Sequence, residues 1–131
     1  MDLNGLALFQ QMEQKMHWLS ARQTVLSENI ANADTPHYQT RDLKPFAAEM
    51  ANAMPVARTK ASHLSGGNAS TVPVVARDRN FIEISPDGNQ VSLEDQLTKV
   101  ADTGMEYQML TNLYRKQLSM IKTALGRNGS A

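Results

Sequence analysis

The sequence predicts a mainly α chain, in which two long terminal helices pair as an antiparallel, coiled-coil-like hairpin and an irregular middle arm contains a short β segment. Three observations predict it. Apolar residues alternate at spacings of three and four along both ends of the chain. The rhythm is missing from the middle, where Pro, Gly and small polar residues collect. At 131 residues the chain fits one domain, 1–131. It divides into an N-terminal helix (1–32), a loop and arm with a short strand (33–91), a C-terminal helix (92–126) and a tail (127–131).

The first helix runs from about Leu6 to Ala31 without Pro. Phe9, Met12, Met16, Leu19, Leu26 and Ile30 form a heptad-like stripe that only Gln23 interrupts. Leu6, Leu8, Trp18 and Val25 lie off this stripe. The helix therefore carries apolar surface on more than one side, and a single partner helix cannot cover all of it.

The helix is followed by the most distinctive string in the chain, Ser27-Glu28-Asn29-Ile30-Ala31-Asn32-Ala33-Asp34-Thr35-Pro36-His37-Tyr38. Asn32 is suited to a left-handed conformation that closes the helix. Asp34 and Thr35 are suited to bonding nearby backbone. Pro36 pushes Thr35 toward an extended conformation. Tyr38 offers a ring to pack and a hydroxyl to pair. The string is expected to stop the helix abruptly and aim the chain that follows.

Residues 51–80 contain Pro55, Pro73 and the Gly66-Gly67 pair, and no periodicity persists there. They read as loop or arm. Phe81, Ile82 and Ile84 make a β-prone run, and Pro86-Asp87-Gly88-Asn89 reads as a turn. A brief strand or hairpin is expected within 74–85.

The last helix opens at Ser92, an N-cap with Asp95 three residues on. Leu93, Leu97, Val100, Gly104, Tyr107, Thr111, Tyr114, Leu118, Ile121 and Leu125 continue the three-four spacing, and Met105, Met109, Leu113 and Met120 add a second row. Glu94, Asp95, Asp102 and Glu106 come early, whereas Arg115, Lys116, Lys122 and Arg127 come late, which complements the helix dipole. Gly126 and Gly129 mark the end. Gly104 is either a tolerated defect or the site of a close helix crossing. A helix of about 33 residues is longer than one of about 25, so part of it should overhang. Uncovered apolar stripes at both ends point to partner chains. The expected assembly interface comprises Phe9, Met12, Met16, Leu19, Leu26 and Ile30 with Leu97, Val100, Tyr107, Tyr114, Leu118 and Ile121. The eight Met residues suit an adaptable interface and equally suit a helix core.

Composition narrows the function classes. Thirteen basic and thirteen acidic residues balance, so the basic excess of a nucleic-acid binder is missing. There is no Cys, which removes disulfides, thiolate metal sites and a Cys nucleophile. His17, His37 and His63 show no metal-ligand spacing, and Ser62, Ser65, Gly66 and Gly67 do not make a phosphate loop. No catalytic, cofactor or metal site is expected. The N-terminus has no basic region ahead of an apolar run, so a cleaved signal peptide is not expected. Neither is a membrane span. The first helix carries only Lys15 and Arg22 as bases, which suits anionic lipid poorly.

The string at 27–38 resembles the signature of bacterial flagellar rod, hook and related axial proteins. Its carriers here are Ser27, Asn29, Ala31, Asn32, Asp34, Thr35, Pro36 and Tyr38, followed by Arg41-Asp42. The C-terminal residues Asp87-Gly88-Asn89, Val91, Leu93-Glu94 and Tyr107-Gln108-x-Leu110 are similar to the proximal-rod member of that family. His37 stands where many relatives have Gly. The resemblance covers roughly residues 5–46 and 87–125. It implies a structural subunit of the proximal rod, exported through the flagellar type III channel without a cleaved signal. Such a subunit assembles with copies of itself and other rod proteins into a periplasmic tube that transmits torque and encloses the export channel. The implied partners include the adaptor between rod and membrane ring and the export gate. A non-flagellar helical-hairpin adaptor or chaperone would explain the stripes but not the string.

Overall fold

The computed structural model describes residues 3–53, 73–78 and 84–126. The elements in order are α1 (Leu3–Ala31), β1 (Arg41–Leu43), α2 (Phe46–Ala53), β2 (Val75–Arg77) and α3 (Leu93–Ala124). Pro55, Gly66, Gly67, Phe81, Ile82, Gly129 and the tail lie outside the described residues.

The two long helices pack antiparallel, as expected. Phe9 meets Tyr114 edge-to-face at 5.1 Å, Lys15 pairs with Glu106 at 3.1 Å, and Asn29 bonds Gln96 at 2.9 Å. Met12, Leu19 and Leu26, each seven residues apart, are buried along α1. A row spaced by seven is the seam of a left-handed helix pair. With 29 and 32 residues, α1 and α3 are about 43 and 48 Å long, so the mismatch is smaller than the sequence suggested.

Trp18 and Val25 lie off that stripe and are nevertheless buried. The cover comes from the chain itself. Trp18 and Val25 join Leu19 and Leu43 in one apolar cluster, with Phe46 packed against it. The Trp18 indole N–H donates to the Lys44 carbonyl at 2.9 Å. Lys15 lies 4.5 Å and Arg22 5.5 Å from the Trp18 ring centre, within cation–π range. The arm thus covers the second apolar face of α1 that was assigned to partner chains.

Part of the arm is regular, where a loop was expected. Pro45 precedes α2, where a fixed φ and a missing N–H favour the start of a helix. Its carbonyl accepts from the Ala48 and Glu49 amides. The segment Phe46-Ala-Ala-Glu-Met-Ala-Asn-Ala is rich in helix formers, so α2 replaces the loop expected there. The Glu49 carboxylate accepts the Val74 N–H at 2.5 Å and ties α2 to the approach of β2.

The expected short strand exists at Val75–Arg77, but it is not half of a local hairpin. It pairs antiparallel with β1, with Asp42 opposite Ala76. Ile84 lies outside any strand and is exposed.

Ser92 has the extended backbone of an N-cap, but its side chain makes no capping bond. Asp95, expected to complete a capping box, is held by Lys99 at 2.8 Å instead. Gly126, at φ +70°, follows the last turn of α3 as expected. A Cβ built on Gly104 would meet nothing within 4 Å, so no close crossing occurs there among the described residues.

Candidate functional site

The string at 27–38 builds a joint between the end of α1, the edge of β1 and the start of α3. Asn29 is its centre and is fully buried. Its side-chain amide donates to the Arg41 carbonyl at 2.7 Å and to Gln96 Oε1 at 2.9 Å. Its oxygen accepts the Arg41 N–H at 3.1 Å and the Tyr38 hydroxyl at 3.3 Å. Two donors and two acceptors are therefore all used. Because the amide engages both the N–H and the C=O of Arg41, it pairs the inner edge of β1 as a neighbouring strand would.

Asn89 closes the end of α1 from the far side of the arm. Its buried NH2 group donates to the carbonyls of Asn32 (3.1 Å), Ala33 (2.7 Å) and Thr35 (2.7 Å). Its oxygen accepts the Val91 N–H at 2.7 Å. These carbonyls belong to the turn that follows α1, and a side chain more than fifty residues away gathers all three. Asn32 does not adopt the left-handed conformation expected of it. Its amide bonds the Glu28 carbonyl at 2.8 Å, its oxygen accepts the Thr35 hydroxyl, and the chain turns without a positive φ at that point.

The left-handed residue is His37, at φ +58°. Its N–H donates to the Asp87 carbonyl at 3.2 Å, and the Gln90 N–H donates to the Tyr38 carbonyl at 3.0 Å. These bonds lock the 35–38 turn onto the 86–89 turn. Gly88 (φ +79°) is the point of closest approach, since a Cβ built there would lie 2.5 Å from His37 Nδ1.

Ion pairs brace the joint. Arg22 makes a two-pronged contact with Asp42, at 3.0 and 2.9 Å. That hydrogen bond, opposed by burial, holds the Arg22 pKa above its ordinary value. Arg41 reaches Glu28 at 2.8 Å. Lys99 bridges Asp78, just after β2, and Asp95 on α3, at 2.6 and 2.8 Å. Burial alone would lower the Lys99 pKa, but the two carboxylates outweigh it and hold the ammonium above its usual range.

The remaining string residues surround this centre. The Ser27 hydroxyl donates to the Gln23 carbonyl on the outside of α1. Ala31, Asp34 and Pro36 are exposed. Of the expected interface residues, Met12, Leu19 and Leu26 are buried inside the chain's own hairpin. Phe9, Met16, Ile30, Val100 and Tyr114 are half-buried. Leu97, Tyr107, Leu118 and Ile121 are exposed. What α3 turns inward is largely polar: Gln96 and Thr103 are buried, and Leu110 and Gln117 continue that row at intervals of seven, half-buried. Gln96 faces inward because it is the partner of the buried Asn29 amide, and the Lys15–Glu106 pair fixes the same rotation further along. The sequence marks Asn89 only as a turn and motif residue and gives Gln96 no role, because nothing local separates a buried amide from an exposed one.

Among the described residues, no group of three or more His, Asp or Glu side chains is placed to hold a metal ion. No described helix is long and apolar enough to cross a membrane. The arrangement orients backbone and helices, and it brings together no nucleophile and base.

Comparison with known proteins gives a consistent result. The model of the family described as flagella basal body rod protein matches residues 16–39, which cover Leu19 and Leu26 of the seam and the string that forms the α1 side of the joint. The chain is 34% identical to the flagellar basal body rod protein FlgB of Salmonella typhimurium, over 96% of this chain and 97% of that protein. It is 33% identical to FlgB of Agrobacterium fabrum, over 87% of this chain and 89% of the relative. It is likewise 33% identical to FlgB of Escherichia coli K12, over 94% of each.

Proposed function

The chain belongs to the flagellar basal body rod proteins, and from that premise we propose how it is built into the rod. It is a structural subunit of the flagellar basal body, not an enzyme, and it assembles with other rod components. Our reading is that the whole chain acts as one axial-protein unit in the proximal rod. The joint fixes the angle between the hairpin and the arm, and neighbouring subunits seat on the flank of α3. The proposed partners are copies of this chain, other rod proteins, the adaptor to the membrane ring and the export gate. The tube so formed transmits torque and encloses the export channel, which the subunit itself has passed without losing a signal peptide.

One observation carries this reading. The hairpin uses the apolar seam of α1 internally but leaves Leu97, Tyr107, Leu118 and Ile121 of α3 exposed on a helix otherwise held firmly in place. Exposed apolar surface of this extent marks an interaction site. The polar string contributes by orientation, so Ser27, Asn29, Ala31, Asn32, Asp34, Thr35, Pro36 and Tyr38 act as assembly residues without touching a substrate.

The test uses Leu97→Glu and Leu118→Glu. Burying an unpaired carboxylate at an apolar contact costs several kcal/mol, whereas a carboxylate in water costs the isolated subunit little. The expected result is normal expression and thermal stability of the subunit, with basal bodies lacking rods and cells that do not swim. Met16→Glu, which also strikes the hairpin, should reduce subunit stability as well. Normal rods and swimming in both α3 variants would overturn the reading.

A further inference from the structure

α3 carries a second exposed row on its other flank, and the part of that row from Asp102 to Lys116 is symmetric about Met109. Met109 and Met105 are the most exposed large apolar side chains in the described chain, at 67% and 64%, and Leu113 and Met120 are exposed beside them. Asp102 lies seven residues before Met109, and Lys116 lies seven after it. Seven residues is two helical turns, so Asp102, Met109 and Lys116 fall on one line, about 10 Å apart along the axis. Both charged side chains are exposed and neither makes a hydrogen bond or short ion pair among the described residues, although the Asp102 carboxylate also acts through space on Arg22 of α1.

We propose that this row is a self-docking surface, on which two copies of the chain pair antiparallel through α3 with Met109 on the two-fold axis. In that register Asp102 of each copy faces Lys116 of the other, Met105 faces Leu113, and Met109 faces itself. An apolar centre is thus flanked on both sides by opposite charges, while Met120 lies beyond it, opposite Thr98. A parallel, in-register pair would set Asp102 against Asp102 and Lys116 against Lys116, which is repulsive. A membrane surface would meet Asp102 and Glu94 on the face that should carry bases.

A two-fold contact of this kind uses one patch twice and closes on itself, whereas a rod grows through unlike patches that repeat without end. The dimer is therefore a closed state of the free subunit that shields its most exposed apolar side chains and opens on incorporation. It uses a face of α3 distinct from the flank assigned to neighbours in the rod and does not depend on that assignment.

The natural chain has no Cys, which makes a disulfide test clean. Purified full-length Met109→Cys should form a covalent dimer under mild oxidant, because the two thiols meet on the axis. Met120→Cys should not, because its two copies would stand about 33 Å apart in the antiparallel register. By sedimentation equilibrium, Asp102→Lys and Lys116→Asp should each raise the dimer dissociation constant about tenfold. The double variant, which restores opposite charges across the pair, should return it to near the natural value. A chain that stays monomeric up to about 100 µM would overturn the proposal. So would Met120→Cys linking as readily as Met109→Cys, or a double variant no better than the singles. All readouts are made on the free protein, so failure here is separate from failure of rod assembly.

Discussion

The side-chain amide of Asn29 donates to the side-chain oxygen of Gln96 at 2.9 Å, joining the last turn of α1 to the first of α3 across sixty-seven residues of sequence. The contact is buried, and the same Asn29 group pairs both backbone atoms of Arg41. Asn29→Ala would leave Gln96 Oε1 and the Arg41 backbone without the partners Asn29 supplies. The expected loss is about 2–4 kcal/mol in urea unfolding. In a double-mutant cycle with Gln96→Ala, the pair should couple by about 1 kcal/mol or more. A loss below about 0.5 kcal/mol would show that the joint adds little to stability.

Asn89→Ala removes the group that satisfies three carbonyls at the end of α1. The expected cost is about 2 kcal/mol. Amide exchange should show the loss first at Asn32 and Ala33, whose N–H groups close the last turn, while Leu19 stays protected. Uniform loss of protection would mean that Asn89 supports the whole hairpin and not its end alone.

His37→Gly should stabilise the chain by about 0.5–1 kcal/mol, since Gly adopts a positive φ without strain. Gly88→Ala should destabilise it by more than about 1 kcal/mol, through its own positive φ and the clash with His37. In the His37→Gly background part of that second loss should disappear. Equal losses in both backgrounds would rule out the contact as the cause.

Gly104→Ala should raise the stability of the free subunit by about 1 kcal/mol, because the new methyl group meets nothing and Ala favours the helix. Swimming assays on the same variant make the second measurement. A more stable subunit that fails to build rods would place Gly104 at a close crossing between chains.

Lys99 gives a pH dependence with a definite sign. Its ammonium has a folded-state pKa above the ordinary value of 10.5, because Asp78 and Asp95 outweigh the burial that would lower it. A raised pKa on a base means that its contribution is complete below the unfolded-state pKa and is lost as pH rises through the folded-state value. Urea midpoints should hold up to about pH 10 and fall above it. In Lys99→Met that alkaline fall should be shallower, and an unchanged slope would count against the bridge.

The periodic parts of the chain were legible from sequence, and the long-range polar parts were not. Met12, Leu19 and Leu26 announce a seam because an apolar heptad has few other uses, and that seam is buried. On α3 the same rhythm misled about rotation. Leu97, Tyr107 and Leu118 have the spacing of a seam, yet Gln96 and Thr103 face α1, because a buried amide on α1 demands a polar partner. Trp18 stood off the stripe and was assigned to other chains, since pairing it with Phe46 and Lys44 requires knowing how β1 folds back. The string at 27–38 marks the joint, and Asn89 is legible as a turn residue, but not as the buried amide that reaches back to the carbonyls of Asn32, Ala33 and Thr35. The left-handed residue is His37 in place of Asn32, whose side chain instead bonds the Glu28 carbonyl and accepts the Thr35 hydroxyl.

The distance in sequence between α1 and its cap has a consequence for the order of events in the cell. A chain is made from its N-terminus at about 5–20 residues per second. The last residue of α1 is thus translated roughly 3–12 s before residue 89 is added. Throughout that interval the carbonyls of Asn32, Ala33 and Thr35 lack the amide that later holds them. The end of α1 is a latch whose keeper arrives late, and the hairpin waits longer still, since Gln96 and the rest of α3 follow Asn89 in the chain.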